Sequence, residues 1–191
     1  MRFEVISYSN KAGRNVNCDR MVCMEKADKV SAVLCTAAGD AEEAIKKIKQ
    51  CSLDAMEQLC LLENTEMLGD VWQASGNEAV QGAALLMIRG KKAAWYCEGA
   101  ARVYLFSDGE QMEYSTEGSP CEEKTELKPG DAVIVCSQGF YNHVSSMEME
   151  IDLCRSADAG EWLDNLLIRY LNSSGLSGES MSVLCCTVKE K

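Results

Sequence analysis

The spacing of apolar side chains along the chain changes between two periods. Runs of strand length, alternating or continuously apolar, predict β-strands at 2–8, 20–25, 30–37, 80–88, 92–97, 102–106, 112–115, 132–136 and 181–188. Over about 41–62 and again over 158–172, apolar residues recur every three or four positions, which predicts two amphipathic helices. Residues 63–79 follow neither period, and we expect a broken second helix there.

The two predicted helices are set up differently. The first opens on Glu42 and Glu43 and has lysines behind them, an arrangement of charge that suits the helix dipole. The second presents a continuous apolar face, on which we expect Trp162, Leu163, Leu166 and Leu167 to be buried. The full set of residues on that face is Ala159, Trp162, Leu163, Leu166, Leu167, Tyr170 and Leu171.

The order of the elements predicts the fold class. Most strands follow one another as hairpins, with turn signals such as 89–91 and 129–131 between them. A parallel sheet built from alternating strands and helices does not fit this order. We therefore predict an α+β protein, a four-layer α-β-β-α sandwich of two antiparallel sheets, and a single domain over 1–191.

Composition and charge exclude several classes of partner. The chain has 191 residues, 47% of them hydrophobic and 26% charged, which is ordinary for a globular domain. Its net charge of −11 repels phosphate backbones and anionic lipids, so we expect neither nucleic-acid nor membrane binding. The N-terminus has the pattern of a strand and not of a signal peptide, and a cytoplasmic location is the expectation.

The eleven cysteines are odd in number, lie mostly inside apolar runs and form no Cys-x-x-Cys pair. Paired spacing is what metal sites and disulfide frameworks usually show. We therefore expect reduced cysteines that serve as small core residues, with a redox role for one of them as the alternative.

Six segments, in order, resemble the signature blocks of the metal-dependent protein phosphatases of the 2C (PPM-type) family. The first is Gly-Arg-Asn-Val-Asn-Cys-Asp at 13–19, beside the family's Gly-x-Arg-x-x-Asn-Glu-Asp. The segment at 98–105 is similar to Val-Gly-Asp-Ser-Arg-Val-Tyr-Leu, and 127–139 to the run that ends in Ser-Asp-Gly. The remaining blocks are 36–40, 81–85 and 177–183. The resemblance implies a short bacterial-type member with the phosphatase 2C fold.

The resemblance also implies what each site position does. In the family, carboxylates hold two divalent cations that bridge the water attacking the phosphorus atom. Four of the acidic positions are replaced here, by Cys18, Ala38, Ala100 and Gln138. Four other site positions are retained or nearly so: Arg14, which would hold substrate phosphate; Asp19, which would orient metal-bound water; Gly39, whose carbonyl would face a metal; and Glu179, in place of an aspartate.

These replacements decide the expected chemistry. Mg²⁺ and Mn²⁺ require oxygen ligands, preferably charged, and the methyl group of Ala38 cannot coordinate anything. Without the metals the site has no activated water. We therefore expect no bound metal and no cofactor, with Mg²⁺ or Mn²⁺ needed only if the chain is an enzyme after all.

Three functions remain open at this point. The first is a pseudophosphatase, a non-catalytic binding or regulatory protein in Ser/Thr phosphorylation signalling, which binds a protein partner through the loops at 9–19, 36–40, 99–101 and 138–143. The alternative is a weak or atypical phosphoserine/phosphothreonine phosphatase that uses Asp19 and Glu179. The third is a phosphate sensor built on Arg14, which could equally pair with Asp19. A cysteine-dependent phosphatase built on Cys18 would need a phosphate-cradling loop after the cysteine, and the sequence offers none.

The other conspicuous residues have structural interpretations. His143, the single histidine, is expected at the surface or at a cap, and the tryptophans Trp72, Trp95 and Trp162 as core anchors. The acids around 122–123 and 147–150 are expected on solvated faces. Met147 and Met149 would then be exposed and available to a partner.

Overall fold

The computed structural model of the protein describes residues 1–65, 67–75, 80–107, 110–114, 120–174 and 178–190. The strands in these ranges are β1 (Arg2–Asn10), β2 (Asp19–Lys26), β3 (Lys29–Ala37), β4 (Val80–Arg89), β5 (Lys92–Gly99), β6 (Ala101–Ser107), β7 (Glu110–Tyr114), β8 (Cys121–Glu126), β9 (Ala132–Ser137) and β10 (Met181–Lys189). The helices are α1 (Glu42–Leu61), α2 (Leu68–Ala74), α3 (Gln138–Tyr141), α4 (Ser146–Arg155) and α5 (Ala159–Ser174).

The strands form two antiparallel sheets. One sheet has the order β1-β10-β9-β6-β7, and the other has the order β2-β3-β4-β5-β8. Their inner faces meet in a core of residues such as Phe3, Leu86, Trp95 and Leu184. Helices cover both outer faces, so β3, β4, β9 and β10 are buried on two sides. This is why their sequences are continuously apolar and do not alternate.

The two outer layers are helical. Helices α1 and α2 pack on the second sheet through residues that include Ile48, Leu59 and Trp72. Helices α3, α4 and α5 cover the first sheet, where Trp162 lies edge-on to Phe106 with 5.7 Å between the ring centroids. The predicted four-layer α-β-β-α sandwich is therefore confirmed. No helix among the described residues has both the length and the apolar character of a membrane span.

The apolar face predicted for the last helix is correct at its centre and wrong at its margin. Trp162, Leu163 and Leu166 are buried, whereas Leu167 is half-buried and Leu171 is 65% exposed. At 100° per residue, Leu167 and Leu171 lie progressively further from the middle of the stripe that faces the sheet. The prediction drew the face too wide.

Three elements lie where the sequence pattern indicated none. β8 is an edge strand of mostly polar residues, so it has no apolar alternation. The short α3 follows β9 directly. Helix α4 begins at a capping box in which Ser145 and Glu148 satisfy each other's backbone amides, and the sequence does carry its Ser-x-x-Glu signature. Because α4 exists, Met149 is fully buried while Met147 stays 65% exposed, so the prediction for Met149 was wrong.

Parts of other predictions fall outside the described residues. Helix α2 confirms a second helix within 63–79, but residues 66 and 76–79 are not described. The same holds for 108–109, where the Asp-Gly sequence predicts a turn, for Ser115 at the end of the predicted strand 112–115, and for Ser177 of the last signature block.

Two glycines let loops from different strands touch. A Cβ added at Gly82 in β4 would lie 2.3 Å from the backbone nitrogen of Ala100, and one at Gly139 in α3 would lie 2.0 Å from the carbonyl oxygen of Ser180. Neither distance is possible for real atoms, so only glycine permits these contacts. Ala100, Gly139 and Ser180 all belong to the same edge of the sandwich, which these contacts draw together.

We expect Gly82→Ala and Gly139→Ala each to lower the free energy of unfolding by about 1–3 kcal/mol, because backbone must shift to admit the methyl group. Urea unfolding followed by circular dichroism measures this. Gly160→Ala is the matched control, since its methyl would meet only the movable carboxylate of Asp158. Equal stability of all three variants would show that the close approach does not constrain the fold.

Candidate functional site

One cleft at the edge of the sandwich collects loops from both sheets. It has a volume of about 230 Å³ and receives residues from the β1–β2 loop, the end of β3, the β5–β6 turn, the β9–α3 junction and the approach to β10. Every site position predicted from the sequence lines it: Arg14, Cys18, Asp19, Ala38, Gly39, Ala100, Gln138 and Glu179.

Backbone hydrogen bonds hold these loops together. The amide of Ala37 donates to the carbonyl of Cys18 over 2.8 Å, and the amide of Gln138 donates to the carbonyl of Ala100 over 3.0 Å. Ala100 in turn donates to the carbonyl of Gln81 over 3.2 Å. Main-chain contacts therefore contribute to the shape of the cleft independently of the side chains that line it.

Arg14 bridges two walls of the cleft. Its Nε donates to the carbonyl oxygen of Gly178 over 2.7 Å, and its Nη1 lies 3.3 Å from the Sγ of Cys18. The guanidinium also lowers the pKa of Asp19 by its charge, although burial outweighs it. The group is half-buried and is oriented by the chain itself.

The pKa of the Asp19 carboxyl group in the cleft is strongly shifted. Its carboxylate is almost fully buried, and this desolvation raises its pKa from 3.8 to about 6. Hydrogen bonds from Ser137 and Ser182 and the charge of Arg14 lower the pKa, and the charge of Glu179 raises it further. The hydroxyl of Ser137 donates to Oδ2 over 2.6 Å. Asp19 is thus held by hydroxyl groups at a position largely shielded from water.

A group of serines behind Asp19 was not predicted from the sequence. Ser182 donates its amide to the Oγ of Ser137 over 2.9 Å, and its hydroxyl lies 2.7 Å from that of Ser9. The Oγ of Ser180 accepts from the amide of Cys18 over 2.8 Å. Ser137, Ser180 and Ser182 lie within the signature blocks at 127–139 and 177–183, which is their only signal in the sequence. Ser137 and Ser182 supply hydrogen bonds to the buried carboxylate of Asp19.

The donor atoms of the cleft can be compared with what a pair of divalent cations needs. The cleft offers two carboxylates, Asp19 and Glu179, of which Asp19 already accepts hydrogen bonds from Ser137 and Ser182. The other side-chain donor atoms are the thiol of Cys18, the amides of Gln81 and Gln138 and the hydroxyl groups of Thr36 and Ser180. Ala38 and Ala100 offer no side-chain donor. In the described part of the chain, no three His, Cys, Asp or Glu residues come together as a metal-binding group. This donor set does not fit two hard cations.

The tryptophans and His143, which were given structural interpretations, are not among the residues that line the cleft. Trp72, Trp95 and Trp162 are fully buried, as predicted. His143 packs edge-on against Tyr170, with 5.6 Å between ring centroids. The guanidinium carbon of Arg102 lies 3.9 Å from the centre of the Tyr141 ring. Seven of the cysteines, Cys18, Cys35, Cys51, Cys97, Cys136, Cys185 and Cys186, are buried, which agrees with their prediction as small core residues.

Comparison with known proteins identifies the fold. No family model matches the sequence, and no curated protein matches it either. Among solved structures, a serine/threonine phosphatase of S. agalactiae superposes with a TM-score of 0.81 at 13% identity, over 98% of this chain and 100% of the other.

Two further structures agree. RsbX in complex with magnesium superposes with a TM-score of 0.79 at 13% identity, over 96% of this chain and 94% of the other. The PP2C phosphatase domain of SpoIIE from Bacillus subtilis, solved with a fragment of its regulatory domain, gives a TM-score of 0.77 at 17% identity, over 98% of this chain and 64% of the other. The chain therefore has the protein phosphatase 2C fold.

The buried Asp19 makes the stability of the protein depend on pH. Its folded pKa of about 6 lies above its ordinary value of 3.8, so the folded state retains the proton between these values while the unfolded chain loses it. Stability therefore falls as pH rises through this window. Asparagine does not titrate, so we expect the free energy of unfolding of Asp19→Asn, relative to that of wild type, to rise by roughly 2–3 kcal/mol from about pH 4 to about pH 7.

Chemical denaturation at several pH values measures this difference in the free energy of unfolding. Asp164→Asn, which removes an exposed carboxylate from α5, is the control and should show no such growth. A difference between Asp19→Asn and wild type that stays constant with pH would mean that Asp19 is not held as described.

Proposed function

We propose that the chain is a pseudophosphatase: a phosphatase 2C family member in Ser/Thr phosphorylation signalling, cytoplasmic, which binds a protein partner and does not hydrolyse phosphate esters. One observation carries the proposal. The chain has the fold of these phosphatases, and the residues that line its cleft include Cys18, Ala38, Ala100 and Gln138, at the positions to which the sequence resemblance assigns cation binding. These residues supply no carboxylate.

The groups that remain cannot replace the missing ligands in catalysis. Arg14 can position an anion but supplies no nucleophile. Asp19 is buried and already accepts hydrogen bonds from Ser137 and Ser182, which leaves it poorly placed to bind a cation. Without a bound cation, water in such a cleft would keep its ordinary, very high pKa. The residues present therefore support binding better than hydrolysis.

The cleft has features of a binding surface for a protein segment. Ala38 is exposed at its mouth and Ala100 lies on its wall, so small side chains permit close approach of a partner's backbone. Loss of acids at these two positions also lowers the negative charge around Arg14. An acidic or phosphorylated segment would meet less repulsion there than elsewhere on a chain of net charge −11.

A weak metal-dependent phosphatase is the alternative function. It is favoured by the retention of Arg14, Asp19, Gly39 and Glu179 in one cleft, since these match positions used by active members of the family. Such an enzyme would require one cation held chiefly by Glu179, the backbone and water. Mg²⁺ keeps several waters in many protein sites, so a single weakly held ion is the form this alternative takes.

Metal binding and activity separate the two functions. We expect calorimetry with millimolar Mn²⁺ to show no binding, and hydrolysis of a phosphothreonine peptide with Mn²⁺ to stay at background. The combined variant Cys18→Glu, Ala38→Asp and Gln138→Asp restores three carboxylates and should gain Mn²⁺ binding. The matched control, Cys18→Gln, Ala38→Asn and Gln138→Asn, adds similar bulk without charge and should gain none.

Two results would contradict the pseudophosphatase. One is Mn²⁺ binding by the wild-type chain. The other is turnover above background that disappears on Arg14→Ala and on Asp19→Ala, since this would place the activity in the cleft and support the alternative.

The cleft can also be tested as the interaction surface. A partner recovered with the wild-type protein should bind Arg14→Glu and Ala38→Arg at least about tenfold more weakly, because both changes place charge or bulk in the cleft. Affinities are measured by titration of the purified partner. Leu61→Arg, at the exposed end of α1, is the control and should bind like wild type. If the cleft variants also bind like wild type, the interface lies elsewhere.

A further inference from the structure

Two cysteines face each other across the strand pair β5 and β8. Cys97 and Cys121 are direct partners in the antiparallel register. No other position in the strand pairs of the described residues places two cysteines opposite each other. Both side chains point toward the core between the sheets, where Cys97 is fully buried and Cys121 is half-buried at the margin.

The geometry of the ladder suits a disulfide. Opposite residues in an antiparallel pair have Cα atoms about 4.5 or 5.5 Å apart, depending on their place in the hydrogen-bond pattern. Both spacings lie within the range of about 4.4–6.8 Å found for disulfide-bonded cysteines. The two thiols already share a hydrogen bond. Bond formation therefore requires little movement of the backbone.

We propose that Cys97 and Cys121 are a redox-active pair that closes into a reversible disulfide when the protein meets a peroxide. This inference concerns the second sheet and does not depend on the proposed function of the cleft.

The reaction begins at Cys121, which is the solvent-accessible partner. Its sulfur attacks one oxygen of hydrogen peroxide, the O–O bond breaks, and sulfenic acid and one water form. The sulfur of Cys97 then attacks the sulfur of Cys121. The S–S bond forms as the S–O bond breaks, and the departing hydroxide takes the proton of the Cys97 thiol to give a second water. Two thiols lose two electrons in total, and the peroxide gains them.

The surroundings make this pair slow to react and not a sensor of trace oxidant. Burial raises the pKa of Cys97 to about 12 and also raises that of Cys121, to which the charge of Glu123 adds. Thiolate is the attacking species, so little of it is present near neutral pH. The disulfide should therefore form under sustained oxidation, and reductant should reverse it.

The neighbours of the two cysteines give the disulfide a structural effect. Glu98 follows Cys97 and accepts hydrogen bonds from Trp72 Nε1 and from the hydroxyl of Tyr96, each over 2.6 Å. Glu122 follows Cys121 and accepts from the amides that begin α2, those of Leu68 and Gly69, over 2.7 and 3.2 Å.

Helix α2 is thus attached to the sheet through one carboxylate beside each cysteine. β8 is an edge strand, paired only with β5, so its detachment would release Glu122 and the start of α2. A covalent link between the strands opposes this detachment. The disulfide therefore adds a covalent restraint at the start of α2, which in the reduced protein is held by packing and by hydrogen bonds alone.

Oxidation of the intact chain tests the proposal. The chain is treated with millimolar hydrogen peroxide or with diamide, the remaining thiols are alkylated in denaturant so that buried cysteines also react, and tryptic peptides are examined by mass spectrometry. We expect residues 93–102 to be linked to residues 103–124, with a mass about 2 Da below the sum of the two peptides. Dithiothreitol should separate them.

Stability and hydrogen exchange test the consequence. The disulfide closes the loop between Cys97 and Cys121, which should raise the midpoint of thermal unfolding by about 5–10 °C. The amides of 67–75 should exchange more slowly in the oxidised protein. Cys121→Ser, a mild change at a half-buried position, should abolish both effects, whereas Cys154→Ser, at an exposed position on α4, should keep them.

Three outcomes would overturn the inference. One is that Cys97 and Cys121 remain fully alkylated after both oxidants. Another is that the linked peptides contain other cysteines. The third is an unchanged exchange rate at 67–75 in protein whose 97–121 disulfide has formed, which would remove the proposed control of α2.

Discussion

The packing of two sheets against each other, with each also covered by helices, is the constraint on which the rest of this structure depends. Strands in the middle of both sheets are buried on two sides, and this requires nearly unbroken apolar sequence in β3, β4, β9 and β10. Polar side chains that could bind a ligand are therefore found mainly at the ends of these central strands. The cleft lies where such ends from both sheets converge, so its position follows directly from how the core is built.

The buried carboxylate of Asp19 shows how this edge tolerates polar groups. A carboxylate at that depth requires hydrogen-bond donors, and Ser137 and Ser182 provide them from β9 and β10. Arg14 is fixed in a comparable way by the carbonyl of Gly178. These partners come from segments more than a hundred residues away along the chain. The hydrogen bonds of Asp19 and Arg14 therefore form only when the chain folds, and both groups find partners within the protein.

Much of this architecture could be predicted from sequence. The spacing of apolar residues indicates which faces of each element are buried, and the order of hairpins indicates which strands pair. The long helix and the last helix were located within a few residues, and the signature blocks placed Arg14 and Cys18 in one cleft. β8 escaped prediction because an edge strand needs no apolar alternation, and its residues carry almost none. The serines around Asp19 escaped because their role depends on contacts across distant strands. Leu171 was misplaced because periodicity gives the direction of a helix face but not its width.

The glycine contacts at Gly82 and Gly139 have an implication for how this cleft can change over time. Part of its wall is main chain, since a side chain at Gly82 or Gly139 would collide with the backbone of Ala100 or Ser180. Residues that project from those walls can be exchanged while the cavity keeps its outline. Such a cavity can lose one set of functional side chains and later acquire another while its backbone stays the same. It is accordingly a suitable starting point for designing new binding sites or catalysts into this chain.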